Sequence, residues 1–305
     1  MQRGTPLWMD AICGGSTGRG SARGFTLVEL GVCIVVALLI ALLVAPLLRG
    51  KGRTGPHHSK DPTQVRGIHQ GLVMWAQNNQ DRFPLPSQLD AADDTVLAPA
   101  ASKDTTSNIM SVLMYNGFFG PEICISPQEV NPQIAQMTTY AYSMPTMANR
   151  PAKALWDPAF NADFSAPGGG HFSYAHTLPS GPRLKHWVST FAADVPIVSN
   201  RGPQVTAMTW GTLGEALPTY DAKSNTLRIH GSPKTWEGAV VYADNHVNYE
   251  VDLSPPTATF LNRTGKRTTD CLFFDEPEDA TGENALLAIW TKSGAAPEQF
   301  WTVWD

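Results

Sequence analysis

The chain has 305 residues, among them 26 glycines, 24 prolines and nine tryptophans, and a formal net charge of −5. An acidic chain lacks the basic surface that replaces counterions on a phosphate backbone, which excludes nucleic acid as an expected partner. Abundant proline, glycine and tryptophan describe a loop-rich, β-rich exported domain better than a helical bundle.

The first element is apolar. Residues 25–48 contain a single charge, Glu29, and as a helix would extend roughly 36 Å against about 30 Å of bilayer hydrocarbon. A carboxylate at the bilayer centre costs on the order of 2.5–3.5 kcal/mol, less near the edge, so Glu29 calls for a partner. Cleavage after Gly24 would supply one, because Glu29 would then be the fifth residue and could neutralise the new amine at Phe25. A secretory signal places small residues after its apolar core; here Arg23-Gly24 comes before it. Bases flank both ends, with Arg19 and Arg23 before and Arg49, Lys51 and Arg53 after, so the positive-inside rule alone does not orient the segment.

The run Gly24-Phe25-Thr26-Leu27-Val28-Glu29 resembles the prepilin signal of type IV pilins and type II secretion pseudopilins, and Pro46 falls where many pilins carry a proline. The resemblance implies cleavage after Gly24 by a prepilin peptidase, N-methylation of Phe25, an assembly role for Glu29, and a single-pass inner-membrane protein with its C-terminal domain in the periplasm. Loss of residues 1–24 removes three arginines and one aspartate, leaving a net charge near −7.

Four regions follow: a prepilin leader (1–24), a transmembrane N-terminal helix (25–48), a Gly/Pro-rich hinge (49–60) and a periplasmic domain (61–305). The hinge departs from the usual pilin, whose first helix runs unbroken into the globular head. Asp61-Pro62-Thr63-Gln64 reads as a helix start, with Asp61 accepting the first amides, Pro62 at the first helical position and Gln64 reaching back. Val65, Ile68, Leu72, Trp75 and Ala76 then recur at helical spacing. Residues 86–106 read as a surface excursion. Thr106 or Ser107 caps a short helix through Ile109, Met110, Leu113 and Met114, which Gly117 ends.

Strand signals dominate thereafter, at 140–143, 171–174, 187–191, 195–198, 205–210 and 227–230. The clearest hairpin is 239–251, with Asp244-Asn245 as a two-residue primed turn. Val240-Val241-Tyr242-Ala243-Asp244-Asn245-His246-Val247, with His230 upstream, is similar to the His…Asp-Gly-His-Val box of a large bacterial family of prepilin-like proteins. Asn245 stands where that family has glycine. Phe191-Ala192-Ala193-Asp194 resembles its aspartate strand, and Cys124-Ile125-Ser126-Pro127 partly resembles its Cys-Pro-Ser segment. The implied fold class is α+β, pilin-like: a packing helix against an antiparallel β-sheet, with long loop insertions.

His171, His176, His186, His230 and His246 with Asp194 and Asp244 include the residue types of a metal or hydrolytic site, but no known spacing places them together. A five-residue step from His171 to His176 would set them on opposite faces of a strand. The acidic loop 275–284 offers calcium-type oxygens without EF-hand spacing. Cys124 and Cys271 remain for the outer domain, either paired or as two separate thiols. No metal, cofactor or catalytic residue is assigned. The expected function is that of a non-enzymatic pseudopilin-like structural or assembly subunit of a type II secretion or type IV pilus-like system, with prepilin peptidase, other pseudopilin or secretion-machinery subunits and the membrane as partners. The alternative is a membrane-tethered glycan-binding or enzymatic domain with aromatic clusters such as Trp187, Trp210 and Trp236; exposed aromatics would favour it, and tryptophans buried in the core the assembly reading.

Overall fold

The computed structural model describes residues 27, 30–32, 34–36, 60–189, 192–211, 216–230 and 235–305. The chain forms two compact units, residues 1–53 and 54–305. In the first, the seven described residues are helical and exposed. Among the described residues no helix is long and apolar enough to cross a membrane, so the expected transmembrane helix is no part of the described fold.

The second unit opens with α1 (Lys60–Gln77). Val65, Ile68, Leu72 and Ala76 are wholly buried, while Arg66, Gln70 and Gln77 face outward, which is the three-four spacing of an amphipathic helix. Gly71 lets a neighbour come close: a Cβ there would lie 2.8 Å from the Phe119 ring. A four-residue helix, α2 (Pro86–Leu89), and α3 (Thr106–Tyr115) complete the helices. Thr105 caps α3, accepting from the Asn108 amide at 3.3 Å, one residue before the expected cap. Gly117 ends it at φ +75°, its amide donating to Met114 O. The stretch between α2 and α3 is tied down: Lys103 Nζ is buried and donates to Asp90 Oδ2 (2.8 Å) and Asp90 O (2.6 Å). Three successive amides, those of Asp94, Thr95 and Val96, donate to the same Asp90 carboxylate.

The main sheet has five strands in the order β6-β5-β2-β1-β9, every neighbour antiparallel: β1 (Tyr174–Thr177), β2 (Pro196–Asn200), β5 (Gly238–Tyr242), β6 (Val247–Glu250) and β9 (Leu287–Ala288). Three separate hairpins surround it: β3 (Val205–Trp210) with β4 (Ala216–Tyr220), β7 (Thr259–Leu261) with β8 (Arg267–Thr269), and β10 (Trp290–Lys292) with β11 (Trp301–Thr302). Alternation along β5 sends Ala239, Val241 and Ala243 into one core with α1 and α3, and Val240 and Tyr242 into another with Leu253, Leu272, Phe273 and Leu287. Both faces of the sheet are therefore buried.

This replaces the α+β, pilin-like expectation of one packing helix on one sheet with long loop insertions. The domain is β-rich, with several sheets and few helices among the described residues, because the chain after β6 builds a second apolar layer over the sheet face turned away from α1. Some strand expectations fail locally. Residues 140–143 form a loop whose Tyr140 hydroxyl is engaged by Ser111 of α3; 225–228 is a 3-10 turn; of 187–191 only the Val188 bridge to Arg82 is described as strand-like.

The β5–β6 turn also differs from the expected two-residue form. Val241 pairs Val247, the Tyr242 amide donates to His246 O, and the Asn245 amide donates to Tyr242 O at 2.8 Å. Three residues, Ala243 to Asn245, make the loop, with Asn245 at φ +69° in the left-handed position. That conformation explains why asparagine serves where the similar box has glycine.

Candidate functional site

Gly24, Phe25 and Glu29, the expected processing and assembly residues, lie outside the described residues. The histidines and aspartates singled out in the sequence disperse. His171 sits before β1, its Nδ1 2.8 Å from Ala135 O, so no strand face relates it to His176. His176 is buried with Thr106 Oγ1 2.9 Å from its Nε2, and His246 pairs with Asp244 and stacks flat on Tyr242. His230 lies with Asp61 instead of the hairpin turn, its Nε2 3.2 Å from Asp61 Oδ2. Among the described residues no group of three His, Cys, Asp or Glu side chains is placed to hold a metal. The two cysteines are free thiols in different cores, Cys124 with α1 and α3 and Cys271 with Leu272 and Phe273.

Asp61 is the first polar centre that sequence reading misassigned. It is completely buried in the first turn of α1 and does not cap the helix. Its Oδ1 accepts from the Tyr174 hydroxyl at 2.8 Å, and its Oδ2 from Ser126 Oγ at 2.9 Å and Asn200 Nδ2 at 3.2 Å. Gln64 reaches sideways: its Oε1 accepts from Tyr174 and its amide donates to Glu122 O. Asn200 Oδ1 in turn accepts from the Ala239 amide. One carboxylate thus joins α1, the segment after residue 124, β1, β2 and the turn before β5. With its lone pairs occupied by donors, it anchors; it is not placed to accept a substrate proton.

A second polar centre was not legible at all. A cavity of about 360 Å³ opens between the end of β1, the turn 181–186, the approach to β2, the β7–β8 hairpin and the loop 281–285. Asp270 forms part of its lining and is 3% exposed. Oδ2 of Asp270 accepts from the Ala285 amide at 2.6 Å, and its carboxyl is hydrogen-bonded to that of Glu276. Its neighbour is a second carboxylate, Glu276, which accepts from the Cys271 amide at 2.8 Å and from Asn284 Nδ2. Burial first, and then the negative Glu276, hold the Asp270 carboxyl well above the usual carboxylate range; burial pushes Glu276 up to about 8. Two such groups side by side retain a proton at neutral pH.

The surrounding loop is locked from beneath. Arg183, almost fully buried, donates to Asn284 O at 2.7 Å and to Asp275 Oδ1 at 2.6 Å. Asp279 accepts the amides of Thr281 and Asn284. The oxygens of the acidic loop 275–284 are therefore largely spent on its own fold. At the cavity rim Lys185 pairs with Glu283, and Arg267 approaches Asp194 at 3.8 Å. Burial and the adjacent Lys185 push His186 down to about 4, leaving it neutral. Phe260, Leu261, Val195 and Pro196 supply an apolar wall.

Comparison with family models, with curated proteins and with solved structures gives no match. The functional reading therefore rests on this chain's own residues.

Proposed function

We propose that the chain is a prepilin-processed structural or assembly subunit of a type II secretion or type IV pilus-like system, tethered to the cytoplasmic membrane through the apolar segment 25–48, with residues 61–305 on the outer side. The observation that carries the reading is the run from Arg23 to Glu29: a small residue at the polar edge of a long apolar segment, followed at the fifth position by its only charge. The reading rests on this signal and on no pilin-like fold. Prepilin peptidase and other subunits of the machinery are its partners, and it works by assembly instead of catalysis.

Burial of two of the three tryptophans singled out supports this choice over a glycan-binding domain. Trp187 and Trp236 are each 1% exposed, packed inside separate cores, and only Trp210 of the three stands partly in solvent. An aromatic platform for a sugar needs open ring faces.

Intact-mass analysis tests the proposal. In cells with an active prepilin peptidase the mature chain begins at N-methylated Phe25, and a bulky residue at position 24 leaves the precursor uncut. A mature terminus elsewhere overturns the reading. Glu29→Ala separates targeting from assembly: the chain still inserts, since a buried carboxylate has been removed, but complex formation fails.

A further inference from the structure

The buried carboxyl pair Asp270–Glu276 carries an inference independent of the assembly reading. The donors it engages come from the segment between β8 and β9 itself: Glu276 takes the Cys271 amide at 2.8 Å and Asn284 Nδ2, and Asp270 takes the Ala285 amide at 2.6 Å. The two carboxyls are also hydrogen-bonded to each other. That bond exists only while one of them holds a proton, because an ionised carboxylate has no donor. The pair thus closes residues 271–285 on themselves. This segment in turn supplies Thr281, Glu283, Asn284 and Ala285 to the wall of the adjoining cavity.

The charges around the pair are poorly placed to accommodate two negative groups. Arg183, from the turn 181–186, already donates to Asp275 and to Asn284 O. Asp275 and Asp279 of the loop are themselves acidic, and across the cavity Lys185 and Arg267 lie with Glu283 and Asp194. When both acids ionise, the donor between them is lost and like charges are buried side by side, which desolvation and repulsion both disfavour. The strain falls on one segment. Among the described residues its backbone hydrogen bonds to the rest of the chain run to the β7–β8 hairpin, to Leu253 and to Leu287 at the edge of the main sheet, none to β1, β2, β5 or β6. We propose that residues 271–285 form a proton-operated latch, closed while Asp270 and Glu276 share a proton and released, with the centre of the sheet intact, when both ionise. Release opens one wall of the cavity.

Hydrogen exchange on the full chain in detergent, read by mass spectrometry, tests this. Each rate is divided by that of the unfolded chain at the same pH, which removes the pH dependence of exchange itself. From pH 6.5 to 7.5 the relative rate in 271–285 is expected to rise about tenfold or more, the factor given by one ionising group per pH unit. At pH 8 it should exceed that of β5 by about tenfold or more, since a local opening costs less than unfolding the domain. A rate in 271–285 that does not change with pH overturns the proposal. Protection equal to that of β5 overturns it too, because the segment would then open only with the whole domain. Asp270→Asn sets a permanent N–H where the shared proton lies and keeps an oxygen for the Ala285 amide, so it should lower the rise about tenfold by pH 8. A variant as pH-sensitive as wild type refutes the latch. Should Asp270→Asn fail to fold, Glu276→Gln removes the other acid and is judged by the same comparison.

Discussion

Replacing Asp61 by alanine leaves Ser126 Oγ, Asn200 Nδ2 and His230 Nε2 facing a small apolar void, while the Tyr174 hydroxyl keeps only Gln64. Each buried donor left without an acceptor costs about 1–3 kcal/mol, so the loss of this carboxylate is put at about 3–5 kcal/mol. Against a typical stability of about 5–15 kcal/mol this is a third or more of the total in most domains. With a urea dependence of about 3 kcal/mol per molar, the unfolding midpoint should fall by about 1–1.7 M. Asp61→Asn should be milder. It retains an oxygen for Tyr174 but turns an amide toward the other donors, of which the serine hydroxyl and, by a change of tautomer, the His230 ring can reverse their roles. Tyr174→Phe alone should cost about 1–2 kcal/mol, and the double variant should show a coupling of about 0.5–3 kcal/mol. Urea melts of the fragment 54–305 measure all three. An Asp61→Ala variant within about 1 kcal/mol of wild type, or strict additivity with Tyr174→Phe, would refute the idea that this carboxylate ties the start of α1 to the sheet.

Leu72→Ala, in the middle of the buried stripe of α1, should destabilise the same fragment by about 2–5 kcal/mol in urea melts, while Gln70→Ala on the outer face should stay within about 0.5 kcal/mol. Cys124 and Cys271, free and with thiol pKa values raised by burial, should be silent to a thiol reagent in the native fragment and titrate as two on unfolding; one or none after unfolding without reductant would reveal a disulfide. Stability should fall as pH rises from 6.5 to 8. Burial pushes His176 and His186 down to about 4 from 6.5, so the unfolded chain binds their protons first and stability rises with pH between 4 and 6.5, by about 1.4 kcal/mol per unit for each. Glu276 runs the other way: raised to about 8 from 4.5, it keeps its proton in the fold, so its contribution is complete below 4.5 and is lost as pH rises through 8, with Asp270 acting in the same direction. Above 6.5 the carboxyl pair acts alone, and Glu276→Gln should flatten that limb; a wild-type midpoint still climbing from pH 6.5 to 8 would contradict the assignment.

Local patterns were readable from the amino acids themselves. The period of Val65, Ile68, Leu72 and Ala76 marks a helix with one buried face, and Gly117 marks the end of α3, because each signal is complete within a few neighbouring residues. Asn245 in the left-handed region follows likewise from a side chain that tolerates positive φ, although the loop length needed the strand register. The proposed processing signal from Arg23 to Glu29 is likewise a reading of contiguous sequence. Tertiary structure decided the rest. Asp61 has the composition and position of a helix cap, yet its partners lie 65, 113 and 139 residues away, and those donors outcompete local amides once they converge. Whether one or both faces of the sheet are covered depended on how the chain after β6 folds back, and no alternation in β5 distinguishes the two when Val240 and Val241 are equally apolar. Asp270 was invisible for the same reason: the sequence shows one more aspartate near an acidic loop, and only the closure of Ala285, Glu276 and the β7–β8 hairpin around it leaves two carboxyl groups buried together beside a cavity.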